Sequence, residues 1–221
     1  MIEDEIQFEQ LISGLIDQNY GVCDQFLSVE LLQGLRANLR KYHQEGKMHP
    51  AGVGRHFDYQ RNLEVRGDVI RWIEDESDDR YEQELFMKIE NFIRHLNQTC
   101  YTRINAKEFH YAFYDVGSFY KRHLDQFKSH RGRQFSLVIY LNEDWKEQDG
   151  GNLRLYLDGD RIEDIYPNGG RAVFFKSDQL EHEVMPSAQR SRISIAGWLK
   201  NVQRQMARSM PYNRYSFRLS E

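Results

Sequence analysis

Glu108-Phe109-His110-Tyr111-Ala112-Phe113-Tyr114 opens a series of short segments crowded with aliphatic and aromatic side chains. Residues 134–141, 152–157, 171–175 and 192–199 continue it. Side chains of these types suit a pleated, half-buried surface, so each segment predicts a strand. Turn-forming clusters separate them: Asp115-Val116-Gly117, Asp149-Gly150-Gly151, Asp158-Gly159 and Pro167-Asn168-Gly169-Gly170. Residues 153–157 and 161–166, joined at Asp158-Gly159, predict a hairpin.

Before Ala106 the period is helical. Ile6, Leu11, Ile12, Leu15 and Ile16 fall at helical spacing, and Gly21 is expected to close that stretch. Ser28 predicts an N-cap for a helix carrying Leu31, Leu32, Leu35 and Leu39 to about Tyr42. Leu85, Ile89, Phe92, Ile93 and Leu96 make the apolar stripe of a third helix over residues 80–99. Between the last two lies a polar segment, residues 46–67, with Gly46, Gly52, Gly54 and Gly67. A loop of that length in a compact domain is usually functional. Helices followed by a meander of strands give an α+β class, helices packed on one side of an antiparallel sheet or jelly roll.

Composition narrows the function classes. The 221 residues carry 30 Lys+Arg against 34 Asp+Glu, a net charge of -4, which argues against a dedicated nucleic-acid binder. Apolar runs are too short for a membrane span. The acidic start MIEDEIQFEQ is unlike a signal peptide, and Cys23 and Cys100 are too few for a disulfide scaffold, so a cytoplasmic setting is expected. The length suits one domain over residues 1–221: a mainly helical layer with a loop (1–100), a strand-rich part (101–200) and a basic tail (201–221). Residues 1–30 hold seven acids and no Lys or Arg; from Arg190 onward there are seven bases against Glu221 alone. Two terminal elements that attract each other, or a basic tail meeting an acidic partner, would follow.

His123-Leu124-Asp125 is the first chemical signal. In extended backbone, positions i and i+2 share a face, so the imidazole and the carboxylate converge. His182, near the start of a later strand, is well placed to be a third ligand. Two His and one carboxylate with open positions suit non-haem Fe(II); three ligands and a water also suit a zinc hydrolase. Arg192 lies ten residues on, and alternation puts Arg192, Ser194, Ala196 and Trp198 on one face with Ile193 and Ile195 on the other. An Arg among small side chains is a poor core but a good carboxylate pocket, since the guanidinium can clamp a carboxylate with two parallel hydrogen bonds. His110 and His130 are also metal-capable, but both are expected to be ordinary hydrogen-bonded histidines.

The order His-x-Asp, distal His, then Arg resembles the 2-oxoglutarate and Fe(II)-dependent dioxygenases. Arg66-Gly67-Asp68-Val69-Ile70-Arg71-Trp72-Ile73, Tyr120 to Asp125, Ile139 to Trp145 and Gly150-Gly151-Asn152-Leu153-Arg154 are similar to the prolyl hydroxylases that act on hypoxia-inducible factor and to their bacterial relatives. The resemblance runs from about Arg66 to Leu199. It implies a double-stranded β-helix core supported by N-terminal helices, with Fe(II) held by His123, Asp125 and His182. It implies that Arg192 and Tyr140 bind the distal carboxylate of 2-oxoglutarate and that Tyr114 lies near its chelating end. Tyr120, Arg133 and Trp198 match positions around the target proline, and Asp68 one that anchors a substrate loop over residues 46–67. O2 is the second co-substrate and ascorbate a reductant. The implied partner is a protein with an exposed proline, elongation factor Tu if the source is bacterial. The position six residues after Arg192 is Trp198, where nucleic-acid demethylating relatives carry a second Arg. Arg192 itself stands where collagen-type enzymes usually have Lys. The segment 126–132, with Lys128, His130 and Arg131, differs in detail. Hydroxylation of another amino-acid target, or a binding module that keeps the fold without turnover, are the alternatives.

Overall fold

Among the described residues, a short polar side chain caps the start of two of three α-helices. The computed structural model describes residues 2–52, 64–126 and 132–202. Expectations placed on residues 53–63 of the long loop, on Lys128, His130 and Arg131, and on the tail from residue 203 lie outside these. Helix α1 spans Ile2–Gln18, followed by strand β1 (Tyr20–Cys23) and helix α2 (Val29–Gln44). Ser28 Oγ accepts from Leu31 N at 3.2 Å, the expected cap, and Lys41 and His43 in the last turn suit the negative end of the helix dipole. Strands β2 (His49–Pro50) and β3 (Val69–Ile73) precede α3, which covers Arg80–Thr99 as predicted. Asp79 caps α3 by accepting from the Tyr81 and Glu82 amides at 2.9 and 3.1 Å.

The remaining strands are β4 (Ala106–Tyr114), β5 (Tyr120–His123), β6 (Arg133–Tyr140), β7 (Leu153–Tyr156), β8 (Ile162–Ile165), β9 (Ala172–Lys176), β10 (Glu181–Val184) and β11 (Arg192–Lys200). All pairings among the described residues are antiparallel. A seven-stranded sheet runs β1-β9-β6-β11-β4-β3-β2, and a four-stranded sheet runs β5-β10-β7-β8. Together they form the double-stranded β-helix, with β7 and β8 as the expected hairpin.

Strand alternation divides the large sheet into two faces. Phe109 and Tyr111 (β4), Leu137 and Ile139 (β6), Phe174 (β9), and Ile193, Ile195 and Leu199 (β11) join the helices in one buried cluster. The opposite face supplies Tyr114, Val138, Tyr140, Val173 and Phe175 to a second cluster, shared with Leu153, Leu155, Ile165 and Val184 of the small sheet. The site opens on this inner side.

Gly21 does not end the first helix. Helix α1 stops at Gln18, and Gly21 lies inside β1, where a Cβ would sit 2.0 Å from the Leu11 carbonyl oxygen. Glycine lets α1 lie directly on the sheet edge. Among the described residues, the charged groups of the two terminal regions pair with other segments. Asp4 pairs with Lys88, Glu30 with Arg80 and Asp24 with Arg171. Of the described C-terminal bases, Lys200 pairs with Glu108 and Arg190 bonds the Glu143 carbonyl.

Candidate active site

His123 and His182 face each other across the small sheet, as register partners of β5 and β10. Asp125 follows two residues after His123, beyond the strand proper. The ligand atoms of all three lie within 4.8 Å of one another. Nε2 of His123 is 3.5 Å from Asp125 Oδ1, and Nε2 of His182 is 3.6 Å from Oδ2. Each ring donates its Nδ1 proton to a backbone carbonyl, His123 to Lys121 O at 2.7 Å and His182 to Leu180 O at 3.0 Å. That leaves both Nε2 lone pairs aimed at the carboxylate, the arrangement a metal requires of its histidines. Ser136 Oγ, itself bonded to Ser177, donates to Asp125 Oδ2 at 2.7 Å.

Protonation states agree with that reading. Burial alone would raise the Asp125 carboxyl, but His182, His123 and the Ser136 hydroxyl hold it well below the usual carboxylate range. Burial pushes His182 down to about 4 despite the neighbouring carboxylate. A charged oxygen and a neutral ring nitrogen can therefore bind a divalent cation without first losing protons. The two-His, one-carboxylate set fits Fe(II) on its donor chemistry.

Arg192 stands at the start of β11, opposite Tyr114 of β4, and lines the same cavity as the three ligands. It is only 2% exposed, and no carboxylate pairs with it among the described residues. Nη1 donates to Ser194 Oγ at 3.2 Å, while Nε has no partner. The buried Tyr140 hydroxyl also has none. The Tyr114 and Tyr140 rings flank the guanidinium, their centroids 4.9 and 5.1 Å from its Cζ. Burial raises both phenols, which keeps them as neutral hydroxyls. A buried cation without a counter-charge is expensive, and an anionic group placed in this corner would offset that cost. Gly151 bounds it closely: its φ is +64°, and a Cβ there would lie 3.4 Å from Arg192 Cδ.

The other expected residues fall at the mouth and along one wall. Tyr120 stacks on His123 with centroids 3.6 Å apart. The guanidinium of Arg66 covers the Tyr120 ring at 4.2 Å and grips Asp68 through two hydrogen bonds of 2.7 and 2.6 Å. Asp68 is buried and meets the cavity only through Arg66, which lines it. Arg133 lies over the Trp198 ring at 3.4 Å and donates to Glu108 and to the Asp125 carbonyl. Arg66, Ser136 and Trp72 are not singled out by sequence reasoning, yet the fold brings them to these groups. His110 departs from its expectation: it lines the cavity with Nδ1 unpartnered instead of hydrogen-bonded. Alternation along β4, shared with Tyr114, is the signal that points to it.

Comparisons with known proteins agree with this arrangement. The profile of the 2OG-Fe(II) oxygenase superfamily matches residues 109–200. A crystal structure of a Pseudomonas putida prolyl-4-hydroxylase is similar, with 31% identity and a TM-score of 0.80 over 89% of this chain and 100% of that one. A Trichoplax adhaerens prolyl hydroxylase, solved with a hypoxia inducible factor peptide, shares the fold at 24% identity and a TM-score of 0.81, covering 90% and 91%. A prolyl 3-hydroxylase of Xenopus laevis is 33% identical over 76 residues; the match spans 30% of this chain and 15% of that protein.

Proposed function

Since this chain belongs to the 2OG-Fe(II) oxygenase superfamily, dioxygenases that use Fe(II), 2-oxoglutarate and O2, we propose that it hydroxylates a prolyl residue of a protein substrate. The observation that carries the proposal is the fully buried, unpaired Arg192 in the same cavity as His123, Asp125 and His182. A dicarboxylate co-substrate can meet both features at once. Its far carboxylate satisfies Arg192 and the Tyr140 hydroxyl, and its keto acid end points to the three ligands beside Tyr114. Iron, when bound, supplies the activation of O2 for C–H oxidation, coupled to loss of the co-substrate's carboxyl group.

The chain's own residues hold and orient. Arg192 fixes the co-substrate's direction, so that reacting atoms meet in a restricted geometry. Asp125 stays ionised and His182 neutral, so no proton competes for the ligand positions. Tyr120, Arg133 and Trp198 form the wall for the proline ring. Asp68 is a positioning residue, holding Arg66 over Tyr120. Atoms balance: 2-oxoglutarate, O2 and a prolyl C–H give succinate, CO2 and hydroxyproline, one oxygen atom entering each of the succinate and the new hydroxyl. A cytoplasmic setting and ascorbate as reductant complete the reading, which is compatible with free Cys23 and Cys100 and with the described helices, none long and apolar enough to cross a membrane.

The test is succinate release with proline-containing peptides, with the same peptides carrying alanine for proline, and with free amino acids. Release that follows proline, with one oxygen added to that residue by mass spectrometry, is expected. Release driven only by a free amino acid, or none at all, overturns it. Arg192→Ala should raise the 2-oxoglutarate KM roughly 100-fold, from the loss of two charge-assisted hydrogen bonds. Arg192→Lys should recover only part, because an ammonium cannot make the paired contact.

A further inference from the structure

His110 is an imidazole in the cavity wall that neither the metal nor the co-substrate role uses. It sits within β4, in register with Trp72 of β3 and Ala196 of β11. Its ring meets Trp72 edge-on at 4.9 Å and Trp198 at 5.5 Å. The residue is 4% exposed, and Nδ1 is sealed from solvent without a partner. No hydrogen bond reaches either ring nitrogen among the described residues.

A neutral imidazole carries one N–H and one lone pair. Burial, with the Arg66 charge adding to it, pushes this ring down to about 4, so it is neutral at physiological pH. An orphaned buried N–H is among the rarest features of folded proteins. The proton therefore belongs on Nε2, which becomes the donor this cavity-lining ring can offer. A phenylalanine of similar shape would spare the fold an unsatisfied polar atom. What this position gains from an imidazole must come from something that enters the cavity.

Proline offers a peptide-binding wall no backbone N–H, so the wall can grip the chain at that point only by shape and through carbonyl oxygens. We propose that His110 is a specificity-determining residue whose Nε2–H donates to a main-chain carbonyl beside the target proline, with Trp72 packed against the flanking residue. The assignment rests on the peptide-substrate reading above. Trp72, 43% exposed, extends the aromatic shelf from the cavity to the surface, where a chain would enter.

The probe is a pool of blocked heptapeptides with a central proline and randomised flanks, bound under nitrogen to protein loaded with Fe(II) and 2-oxoglutarate. Binding of the tightest member is read by fluorescence anisotropy. His110→Phe should weaken it about 5- to 10-fold, the loss of one hydrogen bond. Its thermal midpoint should be unchanged or higher, because an unsatisfied nitrogen has been removed. His110→Gln, which returns an N–H, should recover most of the affinity. A purely structural histidine would lower the midpoint in both variants and show no such rescue, and that result overturns the assignment. So does unchanged affinity in His110→Phe when the wild type binds and hydroxylates the peptide. If the wild type binds no member of the pool, the peptide reading itself fails and this assignment falls with it.

Discussion

The two faces of the seven-stranded sheet follow opposite rules. The outer face presents Leu137, Ile139, Phe174, Ile193, Ile195 and Leu199 to the helices, with glycine at the tightest contacts. The inner face carries Arg192 Nε, the Tyr140 hydroxyl, His110 Nδ1 and Trp198 Nε1, buried without partners. Both faces belong to the same strands, one residue apart. Burial at about 25 cal/mol per Å² on one side lets the other hold polar groups that the fold leaves unmet. Stability is concentrated beneath the helices, and unmet bonding capacity is concentrated in the cavity.

Substitutions can break that division. The largest effect belongs to Asp125→Ala, which should cut Fe(II) affinity roughly 100-fold or more and abolish turnover. Loss of an outer-sphere partner of a metal already costs about 10–100-fold, and the proposed site makes Asp125 a direct ligand. Anaerobic Fe(II) titration checks it, and wild-type affinity in the variant would remove Asp125 from the ligand set. Next come two residues of β11 that face opposite ways. Ile195→Ala, on the outer face, should lower the unfolding free energy by about 2–5 kcal/mol. Arg192→Met, on the inner face, should raise it by about 1–3 kcal/mol while destroying 2-oxoglutarate binding. Urea titration of both variants without ligands is the measurement, and losses of equal size would erase the distinction between the faces.

The last effect is a slope with pH, read within a single variant pair. His110 and His182 are both held at about 4 in the folded protein, below the ordinary value of 6.5. Between those values the unfolded chain binds more protons, so stability is present above pH 6.5 and is lost as pH falls toward 4. Each ring contributes about 1.4 kcal/mol per pH unit across that window. His110→Phe should remove one ring's share, measured as a shallower fall in thermal midpoint between about pH 6.5 and 4.5.

Local signals are legible where one chemical cause acts alone. Ser28 and the spacing from Leu85 to Leu96 give α2 its start and α3 its length, because caps and stripes are properties of neighbouring residues. Alternation in β11 is equally local, and it suffices to put Arg192 and Ser194 on the face that lines the cavity. The edge strands β1 and β2, and β3 beside β2, carry no such signature. Gly21 reads locally as a helix terminator, but its reason for being glycine is the Leu11 carbonyl, ten residues earlier in the chain. The sheet partner that makes Val69–Ile73 a strand is β4, and no local pattern names a partner. His110 differs from its expectation for the same reason, since whether a nitrogen finds a hydrogen bond is decided by three strands at once.

The position of β11 has a consequence for the protein as it is made. It is the last described strand in chain order, yet it lies at the middle of the large sheet, between β6 and β4. A growing polypeptide that has reached Ser191 therefore possesses all three ligands and both walls, with a gap where the centre belongs. Arg192 and Trp198 arrive together on the strand that closes the gap. On the proposed role of Arg192, co-substrate capture and completion of the sheet would be one event, since the guanidinium enters the cavity only with the strand that closes the sheet.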